Sequence, residues 1–154
     1  MRILSIDPGA HCGWAIHAGD LYYSGTWELT VGRFSGGGMR FLRFRKLLDE
    51  VLTSTAGEKL AAVYFEEVRH HNGTDAAHVY GGLVAILTAW CEDQNPKIPY
   101  QGIPVGTIKK VATGKGNADK QAMIHAAMLK WPEQDIKDDN QADALWILKA
   151  AEQI

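Results

Sequence analysis

The run Ile3-Leu4-Ser5-Ile6 ends abruptly in Asp7-Pro8-Gly9, and this junction limits what the chain can become. Ile3, Leu4 and Ile6 form a short, nearly continuous apolar run, the pattern of a strand buried on both faces. Proline has no amide to donate and glycine admits positive φ, so the strand stops at Asp7. A carboxylate is thus left at the carboxyl end of a central strand, where it is costly unless a cation or a donor meets it. Asp7 is either a turn acid bonded to its own backbone or one ligand of a metal. Whether other acids arrive at the same place decides between the two.

Beyond Gly9, Gly13 to His17 reads as a second strand and Leu21 to Trp27 as a third, joined by a hairpin through Gly19-Asp20. The segment Gly32 to Gly38 is a loop. It lacks the Gly-Lys-Ser/Thr ending of a phosphate cradle, so no nucleotide cofactor is expected. Met39 to Leu52 is a helix, with Phe41, Phe44, Leu47, Leu48, Val51 and Leu52 at three- and four-residue steps. Leu60 to Phe65 is a fourth strand ending in Glu66-Glu67, and a helix follows from Asp75 to Cys91. Gly81-Gly82 within that helix predicts the close approach of another backbone, from a neighbouring strand or a second subunit. Ile98 to Ile103, flanked by Pro104 and containing Pro99, is an edge strand. Helices are expected over Thr107–Val111, over Asn117–Lys130 with Asn117 as N-cap, and from Asn140 onward with Asp138 or Asp139 as cap. Three strands, a helix, a strand, a helix, a strand and more helices predict one α/β domain over 1–154. Its mixed five-stranded sheet carries helices on both faces, and strand four lies parallel to strand one.

With 46% hydrophobic and 22% charged residues, 154 residues suffice for a real core. No apolar run reaches membrane-span length, so no membrane partner is expected. The chain enters a strand at once, which predicts a cytoplasmic protein. Cys12 and Cys91 have no metal-motif spacing and are expected as free thiols. The net charge of −2 excludes a wholly basic nucleic-acid binder but hides uneven placement. Arg33, Arg40, Arg43, Arg45 and Lys46 form one basic cluster, Arg69-His70-His71 a second, and Lys109, Lys110, Lys115 and Lys120 a third.

If strands one and four are neighbours, Asp7 and Glu66 close adjacent strand tips about 4.8 Å apart. Asp143, one turn inside the last helix, reaches them if that helix begins over the sheet end. Such acids repel one another unless a divalent ion binds them. An all-oxygen set suits Mg²⁺, with Mn²⁺ as a substitute, rather than Zn²⁺. Two such ions can clamp a phosphodiester and activate water. Lys120 is the candidate to neutralise charge on the scissile phosphate.

Four segments then carry a family resemblance. Asp7-Pro8-Gly9 with Gly13-Trp14-Ala15 resembles the first motif of RuvC-type Holliday junction resolvases, and Glu66-Glu67-Val68 resembles the second. Gly114-Lys115-Gly116-Asn117-Ala118-Asp119-Lys120, with Lys109 upstream, is similar to the lysine-bearing segment; Asn140-Gln141-Ala142-Asp143 is similar to the final acidic helix. The matches keep the family's order over nearly the whole chain, and the compact length is similar to phage-encoded members. The resemblance implies an RNase H-like fold, a homodimer formed through the helix at 75–91, and Mg²⁺-dependent paired nicking of a four-way DNA junction. The products would be resealable ends with 5′-phosphate and 3′-hydroxyl groups. It implies Asp7, Glu66 and Asp143 as metal ligands, Lys120 on the scissile phosphate and Lys109 on the DNA backbone, with Lys115, Arg69 and His70 also touching DNA.

Two departures stand out. Asn140 occupies a position where many members have a second acid, so Asn140 and Asp139 are both candidates to complete the ligand set, Asp139 being alternatively only an N-cap. Arg69-His70-His71 stands where some members place an aromatic that stacks on a base. Glu66 and Glu67 face opposite sides of their strand, and the valine spacing favours Glu66. The rival readings are an RNase H-fold nuclease acting on forks, flaps or RNA, and a non-catalytic branched-DNA binder.

Overall fold

The computed structural model describes residues 1–54 and 58–154. Its elements run β1 (Arg2–Asp7), β2 (His11–Ala18), β3 (Leu21–Glu28), α1 (Met39–Thr53), β4 (Leu60–Glu67), α2 (Thr74–Asp93), β5 (Tyr100–Pro104), α3 (Val105–Thr113), α4 (Lys120–Lys130) and α5 (Asp139–Ala151). The sheet order is β3-β2-β1-β4-β5. β1, β2 and β3 form an antiparallel meander, while β4 and β5 add in parallel on the other side of β1. The apolar run of β1 is therefore central, and the proline-flanked β5 is an edge, as their sequences demand.

Two cores sandwich the sheet. Leu4, Ile6, Val63 and Phe65 pack against Phe44, Leu48 and Val51 of α1 and Leu83, Leu87 and Trp90 of α2. On the other face Ala15 and Ile103 pack against Ile108 of α3, Met123 of α4 and Leu145, Trp146 and Leu148 of α5. Nine of the thirteen residues of α5 are buried, so this helix is the centre of its layer rather than an outer wrap. Its sequence is apolar nearly all round between Ala142 and Ala151, as a buried helix must be. Among the described residues no helix is long and apolar enough to cross a membrane. Cys12 and Cys91 are buried free thiols, and burial pushes the Cys91 thiol up to about 12.

Several local expectations shift. α4 starts at Lys120 rather than Asn117, because the Asp119 carboxylate, not Asn117, caps it by accepting from the Ala122 amide at 2.8 Å. A charged acceptor suits the positive end of a helix better than a neutral amide. α3 is two residues longer at each end than its apolar spacing suggests. It begins directly after Pro104 and ends at Gly114, whose φ of 80° closes the last turn. β5 begins at Tyr100, two residues later than expected, although the Pro99 carbonyl already accepts from the Val63 amide. Gly82 makes room for the Phe41 ring of α1 rather than for a backbone, since a Cβ there would stand 2.5 Å from the ring. Gly81 faces open space.

Candidate active site

Ile6 pairs with Phe65 in the parallel β1–β4 ladder, so the next residues, Asp7 and Glu66, stand side by side at the strand tips. Alternation puts both on the α5 face. Ile3 and Tyr64 pack into the core beneath α3, α4 and α5, and Ser5 donates to the Ala144 carbonyl of α5 at 2.6 Å. Asp7 and Glu66 continue those two rows. Glu67 turns the other way: a Cβ added at Gly102 would meet the Glu67 Cβ and the Phe65 ring together. Its carboxylate pairs with Arg69 at 3.4 Å on the surface. The spacing argument for Glu66 thus agrees with the direction each side chain takes.

The third acid arrives because α5 is pinned at its start. Asp138 caps it, accepting from the Gln141 amide and the Thr26 hydroxyl, both at 2.8 Å. Gln141 donates in turn to Ser24, 3.0 Å away. Asp138 is spent in holding α5 to β3. Gly13, paired with Asp7 across the β1–β2 ladder, leaves room for the Asn140 main chain directly above it. Asp143, one turn further on, is thereby brought toward Asp7 and Glu66.

The electrostatics report the convergence. Burial holds the Asp7 carboxyl well above the usual carboxylate range, and the nearby Glu66 and Asp143 raise it further. Asp7 is only 8% exposed. Burial, then Glu66 and Asp139, push Asp143 up to about 7, while Lys120 and Lys109 draw it back. The two lysines therefore lie within electrostatic reach of the acids. Lys120, at the first position of α4, sits 3.4 Å from Asp139. Asp139 bears on both Asp7 and Asp143. Asn140 is placed over Gly13 by its main chain. Lys115 and His70 are exposed on loops, Lys115 bonding the Thr113 hydroxyl through its main chain only, and Arg69 is occupied with Glu67.

The donor set fits a hard divalent cation. It is all carboxylate oxygen, and the repulsion that raises Asp7 and Asp143 is what a bound cation relieves. Among the described residues no three acid, histidine or cysteine side chains stand close enough together to hold a metal ion as they are placed.

Tyr80 belongs to the site's frame in a way its place in an apolar stripe does not announce. Its hydroxyl donates to the Glu66 carbonyl at 2.8 Å and accepts from the Val68 amide at 3.0 Å, fixing the turn out of β4. Only the fold brings α2 back to that turn. Ser5 is similarly silent as sequence, a lone hydroxyl inside an apolar run.

No family model matches the chain, and no curated relative matches it. Among solved structures, T. thermophilus RuvC in complex with Holliday junction substrate superposes with a TM-score of 0.77 at 18% identity, covering 97% of this chain and 92% of that one. A second Thermus thermophilus RuvC structure gives a TM-score of 0.72 at 18% identity over the same shares. The mixed five-stranded α/β architecture built here from β1 to α5 is thus the RNase H-like fold of the RuvC structures.

Proposed function

We propose that this chain is a divalent-metal-dependent endonuclease that resolves four-way DNA junctions, with Asp7, Glu66 and Asp143 as its metal ligands. The observation that supports the reading is the mutual electrostatic influence of acids from two parallel strand tips and one helix, with Lys109 and Lys120 within reach of Asp143. The shared fold with a RuvC bound to Holliday junction substrate supports the choice of substrate.

When bound, Mg²⁺ would supply Lewis-acid chemistry, neutralising the phosphodiester and making a water nucleophilic near neutral pH. The protein's share is placement. Asp7 holds its oxygens at a nearly dry strand tip, where charge interactions are least screened. Glu66 is fixed from behind through its carbonyl's bond to Tyr80. Lys120 carries a positive charge on an exposed side chain beside Asp139, suited to the phosphate being cut, and Lys109 adds to that charge. Arg69, His70 and Lys115 lie on exposed loops around the same end and serve as outer DNA contacts. Asp139 or Asn140 completes the ligand set. A homodimer through α2 is part of the reading, supported by the exposed line Gly81, Ala85 and Ala89 on that helix.

A synthetic mobile four-way junction, incubated with and without Mg²⁺ beside forked and RNA-containing duplexes, tests the function. Paired, Mg²⁺-dependent cuts in the junction are expected. Stronger cleavage of forks or of RNA replaces the substrate assignment, and tight junction binding without cutting in Mg²⁺ or Mn²⁺ replaces the enzyme with a binding protein.

A further inference from the structure

β3 runs in the same direction as β1, so its carboxyl end at Glu28 stands at the Asp7 end of the sheet, two strands away. At about 4.8 Å per strand, that is roughly 10 Å. The Leu29 amide donates to the Ala10 carbonyl at 2.7 Å, which ties the start of the β3–α1 connection to the turn after Asp7. Further on, the Ser35 amide donates to the Gly32 carbonyl at 3.0 Å, so Arg33 and Phe34 occupy the two corner positions of a tight turn. A Cβ at Gly36, Gly37 or Gly38 would meet nothing within 4 Å, so this stretch stands clear of the body of the protein until α1 begins.

Three features give this connection a chemistry. First, Phe34 is 97% exposed, with the Arg33 guanidinium 5.8 Å from its ring centroid. A single exposed aromatic is ordinary on a protein surface; this one stands at the corner of a turn among arginines. Second, Arg33, Arg40 and Arg43 have no carboxylate partner among the described residues, and α1 carries no acid in its first turn. Arg45, further along α1, is by contrast paired with Asp93 at 3.8 Å. Third, Arg40 and Arg43 line a depression of about 260 Å³ together with Gly32 and Ser35, the two ends of the turn. Arg40 is held in place by its Nε, which donates to the Leu29 carbonyl at 2.9 Å. Uncompensated positive charge and an exposed ring are thus gathered on one connection.

We propose that the β3–α1 connection is a second DNA-binding element, separate from the acids. It holds phosphates of a junction arm on Arg33, Arg40 and Arg43 and lays Phe34 on a base left unstacked where the arms part. Guanidinium forks fit phosphate oxygens, and an aromatic ring stacks on any base. At about 3.4 Å per nucleotide along a strand, the roughly 10 Å from Asp7 to the end of β3 is about three nucleotides. An arm that has a phosphate at the acids is therefore long enough to reach the connection. α1 packs on the Leu4 and Ile6 face of the sheet, whereas Asp7 and Glu66 face α5. The element therefore meets DNA away from the bond that is cut. It sets affinity and the preference for branched over plain duplex DNA, and leaves the chemistry to the acids. The inference rests on the branched-DNA reading above.

The test measures binding of the full chain to a four-way junction and to a linear duplex across a series of salt concentrations, in Ca²⁺ to suppress cleavage. The double variant Arg33→Ala, Arg43→Ala should lower the slope of log K against log salt by about two, because each phosphate contact contributes about 0.9. Arg45→Ala should leave the slope as it is, since that arginine is already paired. Phe34→Ala should weaken junction binding about ten-fold, as loss of a stacked base does, while duplex binding and the salt slope stay at wild-type values. Phe34→Trp should restore the affinity. Cleavage at saturating protein should run at the wild-type rate in all of these. Every substituted position is exposed, and thermal melts establish that the variants fold. An unaltered salt slope in the double variant, or full junction affinity in Phe34→Ala, overturns the element alone. So does a Phe34→Ala protein that binds the junction normally but no longer sediments with anionic vesicles, which would make the loop a lipid contact. A wild type that neither binds nor cuts branched DNA overturns the nuclease reading and the element with it.

Discussion

The main chain of Asn140 lies where a side chain on Gly13 would have to stand. Gly13 is the ladder partner of Asp7, so the helix that carries Asp143 comes down on the sheet beside Asp7. Any Cβ at position 13 must push α5 away from the strand tips. Gly13→Ala is therefore expected to cost about 3 kcal/mol, the upper range for overpacking a core, because the obstacle is backbone rather than a flexible side chain. Cleavage should fall by more than the loss of folded protein explains. Urea unfolding beside a cleavage assay at a temperature where the variant is folded checks this, and wild-type values in both would refute the account.

The metal-free protein should become less stable as pH rises. Asp7 and Asp143 have folded-state pKa values above their unfolded values, so the folded chain holds more protons between the two. The stability they permit is present at low pH and is lost as pH climbs from about 4 through 7. For Asp143, moved from 3.8 to about 7, the charged form costs at most about 4 kcal/mol, and partial access to solvent lowers that. Melting temperature in EDTA is expected to fall between pH 5 and pH 8, to recover with Mg²⁺ at pH 8, and to lose most of its slope in an Asp7→Asn, Asp143→Asn double variant. A flat profile would show that the acids do not crowd one another.

Asp7→Asn alone should abolish cleavage and leave junction binding within about three-fold, since the basic residues are untouched and only ligation is lost. Electrophoretic mobility shift and cleavage on the same labelled junction separate the two. Near-normal cutting removes Asp7 from the site.

The neighbouring glutamates offer a contrast. Glu66→Gln should inactivate, whereas Glu67→Gln, on the opposite face and paired only with exposed Arg69, should cut at close to the wild-type rate. Reversal of this order would mean that β4 presents its other face to the metal.

Lys120→Ala should lower the single-turnover cleavage rate by about 100-fold or more while changing affinity little, if, as proposed, its charge offsets the charge that develops on the scissile phosphate as the leaving oxygen departs. An equal loss in both would make Lys120 a DNA-positioning residue only.

Much of this arrangement was legible in the residues. The apolar run into Asp7-Pro8-Gly9 marked a central strand and its end. The helix crossover to Leu60–Phe65 put Glu66 beside it, and Asp143 followed from its place one turn inside the last helix. What could not be read were relations that exist only after folding. Nothing local says that Gly13 clears a path for Asn140, that Ser5 reaches Ala144, or that Tyr80 returns to brace Glu66. The start of α4 was misplaced because Asn117 and Asp119 are both good caps. In the folded chain it is Asp119 that accepts from the Ala122 amide, next to the buried Ala118. Nothing in the sequence around Arg2 signals its buried role. It is 1% exposed and donates to the carbonyls of Val51 and Glu58, closing the end of α1 against β1.

The Ser5 hydroxyl bond to Ala144 has a mechanical consequence. It joins the middle of the central strand to the middle of the most buried helix, upstream of Asp7 on one side and beside Asp143 on the other. The two acids thus belong to a single cooperative unit, and separating them requires breaking the core itself. Amide exchange around them should proceed only through global unfolding, so this end of the sheet has no softer state of its own.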